Sequence, residues 1–95
     1  MIEILLLPKV GSFAENKDTA RDIRLNEILP ALQEQQTVVL NFEGVDSTTQ
    51  SFIHALISDV LRKYGSEILD RLQFKHCSPT VKEIVSIVVE YMQQS

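Results

Sequence analysis

Cysteine is almost missing from this sequence: Cys77 is the only one among 95 residues. No disulfide can close within the chain, which fits a reducing cytoplasm. His76 stands beside it, but a lone His-Cys pair falls short of the ligand count of a zinc site. A buried or half-buried thiol is the simpler reading. Glycine and proline are scarce as well, three of each, and the glycines lie too far apart to form a Gly-rich phosphate cradle. Positive charge is in deficit, with nine Lys and Arg against thirteen Asp and Glu and a net charge of −4. The basic residues are scattered, Arg62-Lys63 being the densest pair, and that speaks against a nucleic-acid-binding surface. No segment approaches the roughly 20 apolar residues of a membrane span. The opening run Met1–Leu7 is too short for a signal peptide and carries Glu3 where basic residues belong. Glu15, Asp18, Asp22 and Glu43 lack the spacing and glycine of a calcium loop.

What is present is ordinary globular material, 44% hydrophobic and 23% charged, in a length that suits one domain over residues 1–95. Ile2 to Leu7 reads as a short buried strand ended by Pro8. Gly11 to Asn16 reads as a turn or loop. From Asp18 to about Gln35 the period becomes helical, with Leu25, Ile28, Leu29 and Leu32 in series. Pro30 sits inside that stretch, so a kink or break is expected near Asn26–Leu29. Thr37 to Phe42 is the clearest strand, apolar enough to be covered on both faces.

Glu43 to Asp46 then turns the chain. Ser47-Thr48-Thr49-Gln50 matches a capping box and opens a helix with Ile53, Leu56, Ile57, Val60, Leu61 and Tyr64 on its apolar face. Gly65 stands where a left-handed C-terminal cap is needed. Ile68 to Phe74 is a weaker strand centred on Arg71–Phe74. The last helix starts near Ser78-Pro79-Thr80, with Pro79 at a first helical position and a second capping box at Thr80–Glu83. Its core stripe is Val81, Ile84, Val85, Val88 and Met92, while Ile87, Val89 and Tyr91 lie off it. The order β-α-β-α-β-α with right-handed crossovers predicts an α/β domain, a small mainly parallel sheet with packed helices.

Three groups of residues carry a resemblance. They are Val39-Leu40-Asn41-Phe42-Glu43-Gly44-Val45, then Ser51-Phe52 opening a helix, then Phe74-Lys75-His76-Cys77-Ser78-Pro79. From Val38 to Met92 the chain resembles the STAS-like family of unknown function, relatives of the STAS domains of anti-sigma-factor antagonists. Gly11 to Ile23 fits the family's N-terminal half. The resemblance implies a STAS-like single domain and a non-enzymatic, bacterial regulatory module that docks a protein partner, such as a kinase-like ATPase, through Asp46–Phe52. In STAS domains the strand-to-helix turn carries a phosphorylated serine, and the matching position here is Ser51. The sequence departs from the STAS pattern at Thr49, where an acid is usual, and at Phe52, where a glycine is. Asn41 replaces the aspartate of the STAS-like strand motif.

The residues themselves agree with a binding role. Asp46, Ser47, Thr48, Thr49, Ser51 and Phe52 form the candidate partner-binding segment, and a phosphate at a helix N-terminus meets free N–H groups. Read locally, Ser47, Thr48 and Thr49 are caps and turn formers, and Ser51 bonds to nearby backbone. Ser51 and His54 are spaced i, i+3, yet no elbow motif or third catalytic group accompanies them, so no catalytic residue, metal ligand or cofactor is expected. His54, with Ser58 four residues on, is placed opposite the apolar stripe, facing solvent or an interface. Asp59 and Lys63 have the i, i+4 order of a helix-stabilising pair. The alternative to a regulatory module is a structural subunit that associates with itself through the apolar surround of the last helix.

Overall fold

The computed structural model describes residues 1–93. Three strands, β1 (Ile2–Leu5), β3 (Val38–Asn41) and β5 (Leu72–Lys75), form a parallel sheet in the order β1-β3-β5. Ile4, Leu40 and Phe74 share one rung, as do Leu5, Asn41 and Lys75. Each crossover advances the sheet by one strand in the same direction, and right-handed crossovers of that kind place every helix on one face.

The burial follows that rule. Ile4, Val38, Leu40 and Leu72 point into the core with the apolar residues of the helices. Their strand neighbours Glu3, Leu5, Val39, Asn41, Gln73 and Lys75 lie on the opposite face and contribute nothing to that cluster. β3 is buried along its whole length, as expected of its apolar run, because it is the central strand.

The segment read as one kinked helix is α2 (Lys17–Ile23), a π turn (Arg24–Ile28) and α3 (Leu29–Gln33). Pro30 has no N–H to give and its ring crowds the preceding turn. The chain answers with one wide turn, in which the Leu29 N–H reaches back to the Arg24 carbonyl. The expected break near Asn26–Leu29 is therefore a π turn. After β1 comes a single helical turn, α1 (Leu7–Val10), with Pro8 in its first turn.

Three expectations are corrected. Gly11–Asn16 is no simple loop, because Phe13–Ala14 forms β2, which pairs in parallel with β4 (Ser47–Thr48). Consequently Ser47 does not open the next helix. Thr49 is its N-cap, and α4 runs Gln50–Tyr64. Ile68 belongs to a 3₁₀ turn (Ser66–Asp70) that precedes β5, so the strand is shorter than its apolar content suggested.

Helix α4 packs against α2 on one flank and α5 (Pro79–Gln93) on the other. Its predicted stripe is buried at Ile53, Leu56, Ile57, Val60 and Leu61. Gly65 ends it with a φ of +78°, and its N–H bonds the Leu61 carbonyl at 2.8 Å. In α5, Val81, Val85 and Val88 are buried and Val89 packs partly against the core, while Ile87 and Tyr91 stay exposed. Ser78 caps that helix, accepting the Val81 N–H at 3.1 Å.

Candidate functional site

The candidate segment leaves the C-terminal end of β3 and is fastened strand by strand. The Asp46 and Ser47 N–H groups both donate to the Ser12 carbonyl, at 2.8 and 3.3 Å, and the Thr49 N–H donates to the Ala14 carbonyl at 3.0 Å. Thr48 is buried and its Oγ1–H donates to the same Ala14 carbonyl at 2.8 Å. From the other side, Ser78 Oγ–H donates to the Asp46 carbonyl at 2.7 Å, tying the loop after β3 to the loop after β5. A turn held at this many points is preformed.

Within it, side chains divide by burial. Thr49 Oγ1 accepts the Phe52 N–H at 3.0 Å and so caps α4. Phe52 is fully buried and is one of the largest core side chains. Phe52 and Thr48 are thus interior, and neither can touch a partner. Asp46, Gln50 and Ser51 are exposed, and Ser47 and Thr49 are half-buried. Helical geometry sends residue 52 inward and residue 51 outward, so the glycine expected after a phosphoserine is replaced here by a core anchor.

Ser51 lies on the rim of a cleft of about 500 Å³, together with Lys17, Gln50, His54, Ala55, Val88 and Tyr91. Three helices meet there: the first turn of α2, the first half of α4 and the second half of α5. Sequence reasoning missed Lys17 and Tyr91, because each is far from Ser51 along the chain and only packing brings them in. The placement of Ser58 is also corrected. His54 is half-buried, lining the cleft, and Ser58 is buried, since α4 has a helix on each flank.

Near the cleft, Arg24 Nη1–H donates to the Ala55 carbonyl at 2.7 Å and lies 3.4 Å from Asp59. The Arg24 Nε is buried without a partner. Asp59 also pairs with Arg62 at 2.9 Å, so the expected Asp59–Lys63 pair does not form; Lys63 Nζ sits 5.5 Å from the Tyr64 ring centroid instead. In the loop after β5, burial pushes the half-buried Cys77 thiol above its ordinary pKa, with Lys82 opposing in part. Among the described residues no three His, Cys, Asp or Glu side chains come together as a metal site, and no helix is long and apolar enough to cross a membrane.

The model of the STAS-like domain of unknown function matches residues 20–82. The chain belongs to that family. The match begins inside α2 and ends in the first turn of α5, so it takes in β3, the whole fastened segment, α4 and β5. No curated protein and no solved structure matches this STAS-like chain.

Proposed function

We propose that this STAS-like chain is a non-enzymatic regulatory module that docks a protein partner on the surface formed by Asp46–Ser51 and the first turns of α4. A kinase-like ATPase is the partner type suggested by the family's relation to anti-sigma-factor antagonists. The observation that carries the reading is the placement of Ser51. It is exposed in the first turn of a capped helix, on a preformed turn, beside the exposed Gln50 and ahead of the buried Phe52. A phosphate there would add roughly −1.5 to −2 charges to the docking surface. Ser51 and His54 make no side-chain hydrogen bond among the described residues, which supports binding over nucleophilic chemistry.

Affinity purification of the tagged chain from its native cells, with intact-mass analysis, tests this. The expected result is an ATPase in the eluate, a fraction of bait heavier by about 80 Da at Ser51, and a complex lost in Ser51→Glu. A complex indifferent to both Ser51→Glu and Ser51→Ala would refute the switch.

A second reading, a self-associating subunit, is favoured by one separate observation. Ile87 and Tyr91 are exposed on α5, at 40% and 62%, and edge strand β1 exposes Ile2 and Leu5, with Met1 exposed just before it. Sedimentation giving a dimer at high concentration would support it, and a strict monomer would dismiss it.

A further inference from the structure

We propose that the cleft between α2, α4 and α5 receives an acidic segment of the docking partner, with a carboxylate beside Lys17 and His54 and an apolar residue against Ala55 and Tyr91; this rests on the partner-docking reading above. The lining is polar and basic at the rim and apolar at the base. Lys17, Gln50, Ser51 and Tyr91 are exposed, His54 is half-buried, and Val88 is buried beneath them.

Charge decides the sign of the ligand. The chain as a whole carries −4, yet no Asp or Glu lines this cleft, whose titratable groups are Lys17, His54 and Tyr91. None of the side chains of Lys17, Gln50, Ser51, His54 and Tyr91 makes a hydrogen bond or ion pair among the described residues. Elsewhere Lys9 is held by Glu27 at 3.1 Å, and Arg24 and Arg62 by Asp59, while Arg21, Lys63, Arg71, Lys75 and Lys82, like Lys17, form no ion pair among the described residues. A lining that holds one unpaired lysine and no acid, on an acidic molecule, complements an acid.

Shape decides the kind of ligand. Sites for small molecules bury most of the ligand. Here most of the lining residues are themselves exposed, so a free small molecule would remain half in water. A peptide segment brings the body of its own protein to close the opening, and Tyr91 is the residue type that anchors such contacts. Phosphate on Ser51 would occupy the same rim with negative charge and expel the acid, so one cleft would serve both recognition and its release.

The test is an NMR titration of the full chain with two probes, the peptides acetyl-Asp-Leu-Glu-Phe-amide and acetyl-Lys-Leu-Lys-Phe-amide. Amide shifts at Ser51, His54, Ala55, Val88 and Tyr91 are expected with the acidic peptide only, weakening with added salt. Lys17→Glu and Tyr91→Ala should each weaken it by about tenfold, and Ser51→Glu by a similar factor. All three sites are exposed, and circular dichroism checks that the variants stay folded. Equal binding of the basic peptide, shifts outside the cleft only, or indifference to Lys17→Glu would overturn the proposal. Should that happen while Ser51→Glu still abolishes the cellular complex, the docking reading stands and only the cleft assignment falls.

Discussion

The Asn41 amide bonds in two directions: Nδ2–H donates to Glu3 Oε2 at 3.1 Å, and Oδ1 accepts the Glu43 N–H at 2.9 Å. Asn41 is nearly buried, on the open face of the sheet. An aspartate, the residue expected from the family's strand motif, could keep the second bond but would set a carboxylate against Glu3. Asn41→Asp is therefore expected to lower unfolding stability by about 1–2 kcal/mol, measured by urea denaturation, and Glu3→Gln in the same chain should recover much of the loss. From the sequence Asn41 is visible only as a departure from that motif. Its partner lies 38 positions away, a separation that no local pattern encodes. Phe52 teaches the same lesson in reverse: it looked like part of a docking segment because of its neighbours in sequence, and it is core because of its place on the helix.

At the scale of elements, the start of α4 separates two readings of one run of hydroxyls. Ser47-x-x-Gln50 has the letters of a capping box, but Ser47 is spent on β4, whose N–H is taken by the Ser12 carbonyl. The cap passes to Thr49. Thr49→Ala should cost about 1 kcal/mol, whereas Ser47→Ala, which removes no side-chain hydrogen bond among the described residues, should stay within about 0.5 kcal/mol. Chemical denaturation of the two variants distinguishes them, and equal losses would restore Ser47 as the cap. The π turn is the opposite case. Pro30 announces an interruption in any context, since its missing donor is a property of the residue and not of its neighbours.

For the whole molecule, the helices cover one face of the sheet, and the second face is exposed at its margins, at Glu3, Leu5 and Lys75, while Val39 and Asn41 on the central strand are buried. Adjacent residues of β1 report on the two sides. Ile4→Ala should cost about 2–4 kcal/mol by opening the core, while Leu5→Ser, at a side chain 52% exposed, should cost less than about 1 kcal/mol. Thermal unfolding of dilute protein measures both, and a Leu5→Ser loss as large as that of Ile4→Ala would show that something covers the second face. Because β1-β3-β5 never reverses direction, the sheet also lacks the switch point at which open α/β sheets form their crevice. The cleft arises among the helices instead, on the side where all of them are packed.

The apolar periods of α4 and α5, the apolar run of β3, the break before Pro30 and the cap glycine at Gly65 were all legible in the chain, because each depends on residues within one or two turns of one another. So was the family, whose residues cluster around β3 and the two loops that follow. Sheet order, the pairing of β2 with β4, the loss of Thr48 and Phe52 from the surface and the meeting of Lys17, Ser51, His54 and Tyr91 depend on segments tens of residues apart. Those were decided by packing alone, since burial and long-range hydrogen bonds act between side chains that the linear order keeps separate.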